Sequence, residues 1–130
     1  MNVRTVKYTD SNAPYEFTRS LRQTGFSVLT HHSIPKYLVD EVYSEWKKFF
    51  RSGAKTNYKF DPIKQDGFFP FGTENAKGCQ TKDLKEFYHI YPWGRYPVEI
   101  SNATIELYER LVELTSVLLG WIQAETPDHV

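Results

Sequence analysis

The chain has 130 residues, 40% of them apolar and 25% charged, which is enough for one domain with a real core and short for two. Sixteen basic side chains balance sixteen acidic ones, so no net field draws in nucleic acid or anionic lipid. One cysteine, Cys79, rules out an internal disulfide framework. With no apolar leader and no run near about 18 apolar residues, the expectation is a cytoplasmic protein without a membrane partner.

In chain order, residues 3–8 predict a short strand with Val6 and Tyr8 on one face. Ser11 or Asn12 can cap a helix whose first turn holds Pro14. In that helix Phe17 and Leu21 stand one turn apart, and Gly25 supplies the left-handed ending. Residues 26–30 read as a mostly buried strand, a short apolar run with β-branched positions. After His31, His32 and Ser33, Ile34-Pro35 opens a second helix. Its Leu38, Val42, Trp46 and Phe49 share one stripe, and Gly53 closes it.

Residues 54–82, rich in glycine, proline and lysine, are expected to form a long irregular loop with a turn at Asp66-Gly67. The aromatic and ionisable run 82–95 follows. Strand alternation there places Phe87, His89 and Tyr91 on one face and Tyr88 and Ile90 on the other, and Pro92-Trp93-Gly94 ends it. Ser101 or Asn102 then caps a long helix to about Ala124. Its principal face is predicted as Ile105, Tyr108, Val112, Thr115, Leu119 and Ile122. A second apolar face contains Leu107, Leu111, Leu114, Leu118 and Trp121, so this helix expects neighbours on two sides. Three short, widely separated strands do not make an evident closed sheet. Further polypeptide or a partner chain is expected to complete the packing.

Candidate chemistry is sparse. One Cys and four scattered His give little basis for a zinc site, and the phosphate-cradling glycine signatures are absent. His31-His32 reads as structural, with a ring bonded to backbone near a helix start. His129 does not open a His-x-Asp pair. Glu74, Asp83 and Glu86 read as ordinary surface carboxylates, and Cys79 as an inert thiol. Lys77, Lys85 and Arg95 can bind an anionic substrate or a partner carboxylate. Arg95 follows a stiff aromatic turn that can pre-position its fork, and a salt bridge is the competing role. Phe68 and Phe69 either line a pocket mouth or clamp the loop to the body. His89 can face a cavity from the strand face it shares with Phe87 and Tyr91.

The segment Thr24-Gly25-Phe26-Ser27-Val28-Leu29-Thr30-His31-His32-Ser33-Ile34-Pro35 resembles the N-terminal region of the isopenicillin-N-synthase-like 2-oxoglutarate/Fe(II)-dependent dioxygenases. That family has a Gly-Phe strand followed by a His-Gly-Ile-Pro-like turn, and Ser33 here replaces the glycine. Asp66-Gly67-Phe68-Phe69-Pro70, Ala76-Lys77-Gly78 and the run 82–95 resemble a bacterial branch of the same family, in the same order.

The resemblance implies an α+β fold over residues 1–130, helices with a few short strands, normally packed on a double-stranded β-helix (jelly-roll) core absent from this chain. It implies Fe(II) and 2-oxoglutarate for a full-length parent. The family's His-x-Asp…His triad and Arg-x-Ser element have no match here, so no catalytic, cofactor or metal residue is assigned in this chain. The function implied is a supporting and substrate-flanking portion of an oxygenase acting on a small molecule, inactive alone. Its candidate flanking residues are Phe68, Phe69, Lys85, His89 and Arg95. The alternative is a standalone binding or structural module that pairs with another polypeptide.

Overall fold

The computed structural model describes residues 2–73, 78 and 81–127. Cys79, Glu74, Lys77 and His129, considered above, lie outside the described residues. The elements in order are β1 (Thr5–Lys7), α1 (Ala13–Thr24), β2 (Val28–Thr30), α2 (Lys36–Arg51), a 3-10 helix (Ala54–Tyr58), β3 (Gly67–Phe69), β4 (Phe87–His89) and α3 (Ala103–Ala124). This is the α+β pattern of helices with a few short strands, and no closed barrel forms among the described residues. The chain divides into two compact units, one of Met1–Asp40 with Thr104–Val130 and one of Glu41–Ala103.

In the first unit β1 and β2 pair in parallel, with Val6 opposite Leu29. The fully buried Ser20 of α1 ties them together. Its hydroxyl accepts the Arg4 backbone N–H at 3.1 Å and donates to the Phe26 carbonyl at 2.6 Å. Proline in its first turn and left-handed Gly25 at its end (φ 78°) bound α1 as expected. Val6, Ala13, Phe17, Ile34 and Leu38 are buried, and Trp121 of α3 lies against Tyr8 and Phe17 at 5.2 and 5.8 Å between ring centroids. His32 takes the structural role, its Nδ1 accepting the Ile34 N–H at 3.3 Å.

Two expectations for this unit need correction. The strand at 26–30 is not mostly buried: Phe26 is 69% exposed and Val28 is also exposed. β2 has only β1 beside it, so its far edge and one face have no cover among the described residues. On α3 the assignment of faces is reversed. Leu107, Leu114, Leu118 and Trp121 of the second face are half-buried, with Leu111 exposed, whereas Ile105, Tyr108, Val112, Thr115 and Leu119 of the principal face are exposed and its Ile122 is half-buried. Both faces are apolar, so periodicity could not say which one is covered.

In the second unit the stripe of α2 supplies Trp46 and buried Phe49. The segment 54–82 is less irregular than its composition suggests, because it contains the 3-10 helix and β3. β3 pairs antiparallel with β4, placing Gly67 opposite His89, Phe68 opposite Tyr88 and Phe69 opposite Phe87. A three-residue strand is too short for its periodicity to stand out against flanking glycine and proline.

Candidate functional site

Because side chains alternate across a strand, the β3–β4 pair presents two aromatic faces. On the inner one, Phe68 is buried with its ring 6.2 Å from Phe50. Tyr88 meets Trp46, Phe49 and Tyr58 at 5.4, 5.8 and 6.2 Å. Phe68 is therefore the clamp of the two phenylalanines.

The outer face is a half-exposed aromatic row. Phe69 stacks on Phe87 at 4.4 Å with 13° between planes, and touches Phe60 at 4.3 Å and His89 at 4.7 Å. His89 reaches Tyr91 at 6.1 Å, and Tyr91 stacks on exposed Trp93 at 4.8 Å. Lys85 caps one end, its Nζ 5.1 Å from the Phe87 ring centroid and 3.5 Å from the Asp83 carboxylate. The alternation read from the sequence is the one observed. Chemically this row offers stacking area with one imidazole set in it.

Arg95 sits behind that row, and its fork is engaged by the protein. Its Nη2 donates to Asp66 Oδ1 at 2.9 Å and to the Lys59 carbonyl at 2.7 Å, and its Nε donates to Asp66 Oδ2 at 3.1 Å. The Arg95 backbone N–H also donates to Asp66 Oδ2. Asp66 is wholly buried. The guanidinium holds its carboxyl below the usual range against the opposing effect of burial, and the same bonds raise Arg95. Tyr88 donates its hydroxyl to the Arg95 carbonyl at 2.8 Å, and burial pushes that phenol up to about 12. The competing salt-bridge role is the one Arg95 takes.

A second internal pair lies nearby. Glu86, expected at the surface, is largely buried and accepts Lys55 Nζ at 2.7 Å, and Lys55 also donates to the Phe50 carbonyl at 2.6 Å. Glu86 lines a shallow cavity of about 220 Å³ with Trp46, Phe50, Phe87, Tyr88 and Ile90. Asp66 and the Lys55–Glu86 pair were missed by sequence reasoning. The only signal for Asp66 was its turn-forming place before Gly67, and its partner lies 29 residues on.

Among the described residues no three His, Cys, Asp or Glu side chains group closely enough to hold a metal ion. His31 and His32 are exposed on a connection and His89 is packed in the aromatic row, so the family's facial triad does not fit these residues.

The family model described as the N-terminal region of the non-haem dioxygenase in morphine synthesis matches residues 9–106. The chain belongs to this dioxygenase N-terminal family. A crystal structure from Shewanella oneidensis, described as that of a candidate oxygenase, matches with a TM-score of 0.87 at 41% identity. That match covers 99% of this chain and 45% of that one. Another, from Caulobacter crescentus and described as a candidate 2OG-Fe(II) oxygenase family protein, matches with a TM-score of 0.74 at 23% identity. It covers 94% of this chain and 48% of that one, and shows a shared fold. This dioxygenase N-terminal region therefore spans about half the length of the solved structures it matches. No curated protein matches it. No helix among the described residues is long and apolar enough to cross a membrane.

Proposed function

We propose that this chain is the supporting and substrate-flanking part of a 2-oxoglutarate/Fe(II)-dependent oxygenase acting on a small molecule. In this reading a jelly-roll core, supplied by further polypeptide or a complementary chain, holds iron and 2-oxoglutarate, which provide the oxidation. The observation that carries the reading is the uncovered apolar face of α3, where Tyr108 and Leu119 are each 60% exposed and Ile105 and Val112 are exposed beside them. Contiguous apolar area on that scale marks a surface that is covered in the working molecule.

Within such an assembly the row of Phe69, Phe87 and His89 borders the substrate entrance, with Lys85 at its edge. Phe68 and Arg95 act from behind, one by packing and one by fixing the turn that carries Asp66. The test is succinate formation from 2-oxoglutarate with Fe(II) and O2. The 130-residue chain alone yields none. Fused to the portion of the Shewanella protein that it does not cover, it supports turnover. Turnover by the chain alone, or an inactive but folded fusion, overturns the proposal.

A further inference from the structure

We propose that Lys55 and Glu86 are positioning residues. Their ion pair selects which face of β4 turns inward, and so keeps Phe87 and His89, rather than Tyr88, on the outer row. That this row borders a substrate entrance rests on the function proposed above; the selection of the face does not.

Hydrophobic pattern alone does not make the choice. Phe68 and Phe69 are both aromatic, and so are Phe87, Tyr88, His89 and Tyr91, so either face of the pair offers rings to the interior. Each strand has three residues, and β4 has only β3 beside it among the described residues. A slip of one residue turns every side chain of a strand to the opposite face. The usual penalty for such a slip is burial of a polar face, and here the outer face is aromatic with one imidazole.

The charges supply the missing distinction. Glu86 directly precedes β4 and shares the inner side with Tyr88, lining one cavity with Trp46 and Phe50. Its carboxylate accepts Lys55 Nζ at 2.7 Å, with the two side chains only 16% and 22% exposed. Lys55 is held in place independently of Glu86. Its ammonium donates to the Phe50 carbonyl at 2.6 Å and lies 5.2 Å from the Phe68 ring centroid. A cation is thus fixed on the inner side of the sheet. Turning β4 over would carry Glu86 to the outer face and leave that ammonium without its carboxylate.

The position of the second carboxylate fits the same scheme. Asp66 directly precedes β3 as Glu86 precedes β4, and the strands run antiparallel, so the two carboxylates stand at opposite ends of the ladder. Arg95 holds Asp66 at 2.9 Å, which fixes β3 and leaves the facing of β4 to Glu86. Pairs at this depth add little net stability, because both partners give up water to meet, while a charge left there alone is penalised. Their best-attested use is to single out one register among several of similar energy.

The test separates selection from stability. Ring-to-ring NOE contacts are measured by NMR on the isotope-labelled 130-residue chain and two variants. The parent is expected to show one set of resonances, with Tyr88 against Trp46 and Phe49 and with His89 against Phe69. Lys55→Met/Glu86→Leu is expected to stay folded with a urea midpoint no lower than the parent's, as apolar replacement of such a pair allows. Its residues 86–91 should nevertheless give a second set of resonances, in which Tyr88 meets Phe69 and His89 meets Trp46. Glu86→Gln keeps an inward acceptor for Lys55 and should retain the single parental set. Only parental contacts in the double variant, its failure to fold, or the same second set in Glu86→Gln overturns the proposal. Because the chain alone is measured, the result is independent of whether the fusion to the Shewanella portion turns over.

Discussion

The carboxylate of Asp66, sealed from solvent, receives both the guanidinium and the backbone N–H of Arg95. One side chain thereby fixes a turn and the cation that leaves it. Removing the charge leaves the half-buried Arg95 cation without its counter-ion. Asp66→Asn is expected to cost about 2–3 kcal/mol, the lower end for broken internal pairs because Arg95 remains a third exposed. Because the folded carboxyl is held below its unfolded value, its stabilising contribution is complete above about pH 4 and is lost as pH falls through the folded value. Urea unfolding across acid pH should show this loss in the parent chain and not in Asp66→Asn.

Gly67 stands beside that pair with φ +108°. A Cβ there meets the Tyr58 carbonyl oxygen at 2.5 Å and that of Lys59 at 3.0 Å. Gly67→Ala is expected to cost about 2–4 kcal/mol, from strained backbone and a clash with atoms that cannot move aside. Gly25 also has positive φ, at +78°, but has open space around it. Gly25→Ala should cost only about 1 kcal/mol. Equal losses in thermal or urea unfolding would remove the close approach as the cause.

Tyr88 is the alkaline counterpart of Asp66. Burial raises its phenol to about 12, so its contribution is intact below the unfolded value of about 10 and is lost as pH rises through the folded value. Among nine tyrosines, the last to ionise in an ultraviolet titration should be the one missing from Tyr88→Phe. The same variant is expected to lose about 1 kcal/mol at neutral pH with its bond to the Arg95 carbonyl.

The reversed faces of α3 give a paired comparison. Trp121→Ala removes the ring packed on Tyr8 and Phe17. It should cost about 2–3 kcal/mol, less than a fully buried tryptophan. Leu119→Ala, on the exposed face, should stay within about 0.5 kcal/mol in the isolated chain. A large loss at Leu119 would mean that this face is already covered.

Elements with a period long enough to count were legible in the sequence. The stripe of α2 and the alternation Phe87, His89, Tyr91 follow from spacing alone, and proline and Gly25 marked both ends of α1. β3 was hidden because three residues carry no period. The packed face of α3 was hidden because both of its faces are apolar, and which one is covered depends on what lies beside it. Phe69, His89 and Lys85 meet along the outer row, whereas Phe68 and Arg95 turn inward. The partner of Arg95 was invisible because a pairing across 29 residues is fixed by the turn at Gly67 and not by local pattern.

That α3 seats a catalytic core is decided by thiol accessibility at its open face. In a Cys79→Ser background, Leu119→Cys should react with a maleimide in the isolated chain as fast as a free peptide thiol. In the fusion to the remainder of the Shewanella protein, the same thiol should react at least roughly tenfold more slowly, as burial requires. Equal rates in a folded fusion would mean that no core rests on this face.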